Sequence, residues 1–343
     1  MRIGIVSKLW ERSDQKSTGG TGAIVGNLVE GLIRRGHKVT LFATGNTKTK
    51  AKLISILPKP FNEKRPYSET GEYLNIAKAV QMAGQFDIIN FHLEHKSLIF
   101  SRIIKTPLAH TIGYGEFFKD SLGLLRLYRQ EPFIAISKTI KKKFSFLNFA
   151  GVAAVGLDYE NFIFNDRPKD YFLFLARLSP QKGVHIAIEA ARRAGVKLIL
   201  AGKTSPTDKK YLEQKVFPFI DGKKIIYLGE AGFSKKISLL RNARGLIHPH
   251  VYFEAFGVSM LEAQACGTPV IAFPGGATAE VIEDGKTGFI VNGLPAIVSA
   301  IKKVGEISRH VCRRRAERQF PFDRMVSGYE NIYKKIVAKN NEK

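Results

Sequence analysis

The chain has 343 residues, 44% of them hydrophobic, with Lys+Arg 54 against Asp+Glu 30 and a formal net charge of +24. That length is too great for one ordinary core and fits two domains, while no apolar run approaches the ~18 residues a membrane-crossing helix needs. The basic excess points to anionic partners, whether phosphates, nucleic acid or an acidic membrane face, unless it is a bias of the whole proteome.

Read in chain order, 2–6 is a short apolar run and the first strand. Residues 23–35 carry helical spacing (Ile24, Leu28, Leu32) closed by Gly36, and 37–43 alternates as a second strand. A buried run at 86–91 and short strands near Leu108 and Ile134 continue an alternation of strands and helices. That alternation predicts a parallel sheet covered on both faces. The pattern lapses in the polar stretch GLDYENFIFNDRPKDY and restarts with strand 172–176, helix 184–194, strand 197–201, strand 225–228, helix 234–242, strand 245–248, helix 258–265 and strand 270–273. The reading is an α/β chain of two units, 1–156 and 157–320, with a tail at 321–343. In that tail Met325, Tyr329, Ile332, Tyr333 and Ile336 predict a helix packing back on the body. No solenoid repeat or low-complexity segment occurs. Cys266 and Cys312 make neither a metal set nor a disulfide framework, and MRIGIVSKLWERSD lacks the apolar core of an export signal. A cytoplasmic setting is the expectation.

Ligands of open parallel sheets sit beyond the carboxyl ends of the strands, so the strand-to-helix loops are the places to search. The first, SKLWERSDQKSTGGTG, ends in Gly19, Gly20, Thr21 and Gly22 before a helix, where backbone amides can approach a phosphate. It lacks the dinucleotide spacing G-x-G-x-x-G, and LFATGNT lacks the acidic residue of an NAD ribose site. A flexible turn explains the glycines as well. In LARLSPQKG, Arg177 and Lys182 flank a turn after a strand, where two cations can neutralise a diphosphate without a metal. Two solvated basic residues are the plainer alternative. In EAFGVSMLE, the amides of Phe256, Gly257 and Val258 open a helix, followed by Ser259, while Glu254 and Glu262 bracket that opening. A carboxylate accepts well from a vicinal diol, as in ribose recognition. Complementing a helix dipole would explain Glu262 but not Glu254.

EAFGVSMLE resembles the E-x7-E motif of family-4 retaining glycosyltransferases, which have the GT-B fold of two Rossmann-like domains facing across a cleft. ARLSPQKG looks like their Arg-x4-Lys-Gly loop, IIYLGEAG like the segment that cups the nucleobase, and VIEDGKTGFIV like their closing segment. GGTG resembles their N-terminal glycine loop, and AISKTI their serine segment. The resemblance implies that Glu262 binds the nucleotide ribose, Glu254 the donor-sugar hydroxyls, and Phe256, Gly257, Val258 and Ser259 the sugar and phosphates. It implies further that Arg177 and Lys182 clamp the diphosphate, that Gly202, Gly229 and Glu230 lie by the base, and that Gly19, Gly20 and Thr21 approach the phosphates on closure. The implied reaction is metal-independent, retaining transfer from a nucleotide-diphosphate sugar, with UDP as the family-weighted base and no cofactor beyond that co-substrate.

One motif departs from the pattern. LAHTIGYG keeps His110 but has Gly113 where relatives place a second His. His110 is the candidate to stand in, with a packed strand histidine as the alternative, and His92 and His95 are neighbours of the same kind. Smaller departures are Ala176 before the Arg, Val155 before Gly156, and Gly22 after the glycine loop. The implied acceptor is a carbohydrate, lipid or small molecule held by the first domain. Two stretches there, GEFFKDSLGLLRLYRQ and SKTIKKKFSFLNF, mix basic and apolar residues and could make peripheral contact with anionic membrane, or be core-backed helices with solvated lysines. The run RHVCRRRAER is expected on an exposed helix or loop, and no nucleic-acid module appears. The alternatives on this scaffold are a nucleotide-sugar 2-epimerase and a non-catalytic donor-binding relative.

Overall fold

A computed structural model describes residues 1–61, 68–115 and 119–342. The chain divides into two compact units, Met1–Gly156 with Phe322–Lys343, and Leu157–Pro321.

The first unit is built on strands β1 (Arg2–Val6), β2 (Lys38–Phe42), β3 (Lys52–Ile54), β4 (Ile88–Phe91), β5 (Leu108–Ile112), β6 (Phe133–Ala135) and β7 (Phe149–Val152). All pair in parallel, in the order β3-β2-β1-β4-β5-β6-β7. Ile3, Ile5, Ile88, Ile89, Ala109 and Ile134 are buried, which is why these strands read as apolar runs rather than alternating ones. Helices α1 (Gly20–Arg34), α2 (Glu69–Gln81), α3 (Lys119–Leu127) and α4 (Lys138–Lys143) connect them. Helix α1 starts three residues earlier than its periodicity predicts, so the glycines form its first turn rather than a preceding loop. The 11–17 segment folds back across that turn: a side chain at Gly22 would begin 2.1 Å from the Arg12 carbonyl oxygen. Helix α2 and strands β3 and β7 are absent from the sequence reading. Ser68 caps α2 by accepting from Gly71 N–H at 3.1 Å, but its inner face includes Glu72 and Asn75, which blurs the apolar period.

The second unit runs β8 (Phe172–Leu175), α5 (Val184–Ala194), β9 (Leu198–Ala201), α6 (Lys209–Lys215), β10 (Ile225–Tyr227), α7 (Phe233–Asn242), β11 (Gly245–His248), α8 (Val258–Ala265), β12 (Val270–Ala272), α9 (Thr278–Val281), β13 (Gly288–Ile290), α10 (Leu294–Lys303) and α11 (Arg309–Gln319). Its six strands are parallel in the order β10-β9-β8-β11-β12-β13. Phe172, Phe174, Val184, Ile188, Leu198, Leu200 and Ile247 form its core.

Helix α11 corrects the expectation of an exposed basic run. Arg309 is buried and donates to Asn165 O at 2.6 Å, Ala243 O at 2.8 Å, Arg241 O at 2.6 Å and Thr268 Oγ1 at 2.8 Å. Arg313 reaches Phe162 O and Ala265 O, and Arg315 reaches Val281 O and Glu280 O. Of the carbonyls so bonded, those of Arg241, Ala243, Ala265, Glu280 and Val281 lie at the C-terminal ends of α7, α8 and α9. Terminal carbonyls lack intrahelical partners and carry partial negative charge, so three guanidiniums satisfy both needs.

The chain then returns to the first unit as α12 (Phe322–Asn341). Its buried Met325, Val326, Tyr329, Ile332 and Tyr333 pack there, and Asn90 Nδ2 donates to Tyr333 OH at 2.7 Å while Thr111 Oγ1 donates to Asn90 Oδ1 at 3.0 Å. The terminal helix is thus part of the first unit's core.

Candidate functional site

In the second unit, strand order reverses between β8 and β11, and the loops leaving these two strands meet. β8 leads into Arg177–Gly183 of the sequence; β11 leads into the stretch from Pro249 to Gly257. Lys182 Nζ lies 3.1 Å from Glu254 Oε2, stands 4.4 Å over the Tyr252 ring, and also bonds the Tyr252 hydroxyl. Tyr252 OH donates to Glu254 Oε2, and His248 Nε2 approaches the same oxygen at 3.3 Å. Glu254 is buried. Burial alone would raise its carboxyl, but Lys182, His248 and Tyr252 outweigh that and hold it well below the usual carboxylate range. Burial is also the leading influence on His248, and it keeps the imidazole below its ordinary value despite Glu254. The ring is therefore neutral at pH 7, and its contact with Glu254 is a hydrogen bond rather than an ion pair.

Arg177 lies on the β8 turn, exposed, with Nη2 3.4 Å from Gln181 Oε1. Helix α8 opens after Gly257, which adopts a left-handed φ of 89°. The first intrahelical bond comes from Met260 N–H to Gly257 O at 2.9 Å, so the amides of Val258 and Ser259 precede it at the helix mouth. Phe256 is buried edge-on against Phe320. Loop 273–277 wraps the same segment: Ala277 N–H donates to Glu254 O at 2.8 Å. A side chain at Gly276, where φ is 54°, would begin 1.8 Å from that oxygen.

Glu262 stands one helical turn into α8 and forms a buried pair with Lys236 of α7 at 2.6 Å, while Lys236 also lies 5.3 Å from the Phe233 ring centroid. A buried ion pair is therefore a third role for Glu262, beside ribose binding and dipole complementation. At the ends of β9 and β10, Gly202 N–H donates to Gly229 O at 2.9 Å, Tyr227 OH donates to Gly202 O at 3.0 Å, and Lys203 pairs with Glu230 at 3.3 Å. The second-unit candidates thus follow the carboxyl ends of β8, β9, β10 and β11, with Glu262 one turn inside α8.

The first-unit candidates behave differently. Gly22 N–H donates to Glu11 Oε1 at 2.8 Å, and the same carboxylate lies against Gly19, where a side chain would begin 1.4 Å from Glu11 Oε2. The mouth of α1, with Gly19, Gly20 and Thr21, thus carries a carboxylate of the chain itself. His110 is a correction. It has no exposure, Nδ1 contacts Ser97 Oγ at 2.9 Å and Nε2 contacts Ser101 Oγ at 3.0 Å, and the ring stacks on Phe91. Burial pushes its pKa down to about 3, so it is a packed, neutral strand histidine with both nitrogens engaged. His92 is buried with a pKa of about 3 for the same leading reason. Ser137 caps α4, accepting from Ile140 N–H.

What the sequence reading missed here is a second switch point, between β1 and β4. Lys8, just past β1, pairs at 2.7 Å with Glu94, just past β4. Burial opposes the Lys8 charge, but Glu94, backed by Glu72 and Glu11, raises the ammonium above its ordinary value. Glu94 is the one non-glycine with positive φ (51°) among the described residues, and Glu72 is buried, accepting from Leu9 N–H at 3.0 Å. Trp10, two residues beyond Lys8, is 48% exposed. Lys236, His248 and Tyr252 were missed likewise. His248 and Lys8 could have been found by the strand-end rule; Lys236 and Tyr252 carry no such signal. Among the described residues no three His, Cys, Asp or Glu side chains are gathered as metal ligands would be.

Comparison with known proteins adds to this geometry. The family model "Glycosyl transferases group 1" matches residues 159–319. The chain is 23% identical to O-antigen chain mannosyltransferase C of Escherichia coli, over 93% of this chain and 95% of that one. Among solved structures, a sucrose-phosphate synthase of Thermosynechococcus elongatus superposes with a TM-score of 0.80 at 17% identity, covering 98% and 99% of the two chains. HepE of Anabaena, solved with UDP and glucose, gives 0.75 at 21% identity, covering 98% and 100%.

Proposed function

We propose, from the premise that this chain is a group 1 glycosyltransferase of GT-B fold, that it transfers a sugar from UDP-linked donor to a hydroxyl acceptor, with retention of anomeric configuration and without a metal. The observation that carries the reading is the meeting of Lys182 and Glu254 at the β8/β11 switch point, beside Arg177 and the open amides of α8.

Each group has a task there. The α8 amides and Arg177 take the diphosphate, where backbone N–H groups and a guanidinium fork suit phosphate oxygens. Lys182 is held by Glu254 until the donor arrives and then neutralises charge on the departing nucleotide diphosphate. Such a preplaced cation contributes about 3 kcal/mol to the transition state. Glu254, kept ionised, accepts from donor-sugar hydroxyls, and His248 and Tyr252 fix its orientation. Glu262 accepts from the ribose diol, and the Gly202, Gly229 and Glu230 edge lies toward the base. The choice of UDP rests on the solved likeness to HepE with UDP. For the acceptor, the β1/β4 switch point offers Glu94 and Lys8 for hydroxyls and Trp10 as an apolar platform for a sugar face.

The test is turnover of UDP-, GDP- and ADP-sugars in EDTA with a panel of sugar acceptors, reading the anomeric proton of the product by NMR. Retained configuration from a UDP sugar is expected. An inverted product, a strict need for divalent metal, or release of an epimerised sugar in place of transfer would each overturn part of this reading.

A further inference from the structure

We propose that one face of the first unit docks on an anionic lipid bilayer, a role that stands apart from the donor chemistry of the second unit. The face is assembled from three segments separated in sequence: 99–105 after β4, the end of α3 through residue 130, and 141–148 around the end of α4. The Arg102 guanidinium lies 4.9 Å from the Tyr128 ring centroid, and its Nη2 donates to Leu127 O at 3.5 Å. Arg126 lies 5.9 Å from the Phe146 ring centroid, and Asn148 N–H donates to Arg129 O at 2.8 Å. These contacts make one continuous surface. The stretch GEFFKDSLGLLRLYRQ contributes only its later part, because residues 116–118 lie outside the described ones.

Two properties coincide on this surface. Large apolar side chains stand out from it: Ile103 is 75% exposed, Leu127 63%, Ile99 41% and Phe146 37%. Around them Arg102, Lys105, Arg126, Arg129, Lys141, Lys142 and Lys143 are all exposed, and the three segments contain no Asp or Glu. Aliphatic side chains projecting among seven cations match a boundary that is apolar beneath and negative at its rim. That is the chemistry of a headgroup layer over acyl chains. A nucleic acid would satisfy the cations but leave Ile103 and Leu127 in water. The buried Ile140, Phe144 and Leu147 of the same region belong to the core, so the lysines after Ile140 point outward because the opposite helix face is already used.

Co-sedimentation with vesicles tests this, using phosphatidylcholine alone and phosphatidylcholine with a minority of phosphatidylglycerol, on the full chain. Binding to the anionic vesicles only, weakening with salt, is expected. Each withdrawn charge lowers partitioning about fivefold, so Lys141→Gln, Lys142→Gln and Lys143→Gln together lose about a hundredfold, and Arg126→Gln with Arg129→Gln about twentyfivefold. Ile103→Ser with Leu127→Ser removes the binding that survives at high salt. Equal binding to both vesicle types, or parent-like binding by all three variants, overturns the proposal. So does the loss of RNA binding by these variants at physiological salt when the parent ignores vesicles.

Discussion

Removing one partner of the Lys236–Glu262 pair should separate what this carboxylate does for folding from what it does for ligand. Both side chains are buried, 2.6 Å apart, on neighbouring helices α7 and α8. Lys236→Met leaves a carboxylate buried without its cation, and such half-broken pairs cost about 3–5 kcal/mol. For a unit of this size that lowers its melting transition by about 6–20 °C. Glu262→Leu should cost a similar amount, because the ammonium is then stranded. The two together should recover to within about 1 kcal/mol of the parent, since a well-packed apolar pair replaces both charges. The single tryptophan, Trp10, lies in the first unit. Urea unfolding followed by far-UV circular dichroism but not by Trp10 fluorescence therefore reports the second unit. If the single variants unfold within 1 kcal/mol of the parent, the pair is not the buried contact described. If the double variant is stable yet binds no nucleotide, Glu262 also serves the ligand; nucleotide binding equal to the parent would refute its ribose role.

Other consequences are checkable with the same tools. Arg309→Met strips four hydrogen bonds to carbonyls and Thr268, and should destabilise the second unit by about 3–5 kcal/mol in urea; a loss under 1 kcal/mol would deny it a capping role. Gly276→Ala meets both a left-handed φ and the Glu254 carbonyl, so kcat should drop at least tenfold for about 1–3 kcal/mol of stability, and parent-like kinetics would dissociate this loop from Glu254. His92 and His110 have folded pKa values of about 3, below the ordinary 6.5, so the unfolded chain binds more protons between those limits and stability falls on acidification. From pH 6.5 to 5 each should cost about 1.5 kcal/mol in the Trp10-reported transition. Glu254, depressed instead of raised, adds its loss only below the ordinary carboxylate range. A profile flat from pH 7 to 5 would contradict the burial of both histidines.

Much of the second unit was legible because its strands are short apolar runs and its helices keep an apolar stripe: α5 and β11 carry the predicted bounds, while α6, α9, β13 and α10 went unread. In the first unit the elements that escaped are those where tertiary packing overrides local pattern. Strands β3 and β7 are only partly buried, and α2 faces the core with Glu72 and Asn75. The same distinction runs through the site. Glu254 and Lys182 announce themselves by spacing around turns, whereas Lys236 becomes a partner of Glu262 only when α7 lies beside α8. His110 looked like a functional histidine because its sequence neighbours suggested one. Nothing local reveals the two serines, thirteen and nine residues back, that occupy its nitrogens. The arginines of α11 looked solvated because a run of like charge gives no sign that the carbonyl ends of three other helices converge on it.

The central claim, a nucleotide-diphosphate seat at the β8/β11 switch point, is tested most directly by calorimetric titration of UDP, GDP and ADP in EDTA onto the parent and Arg177→Ala. Arg177 is exposed, so this variant should unfold like the parent. Micromolar binding of UDP, weakened at least tenfold in Arg177→Ala, is the predicted result. Absence of nucleotide binding, or equal binding by the two proteins, would contradict it.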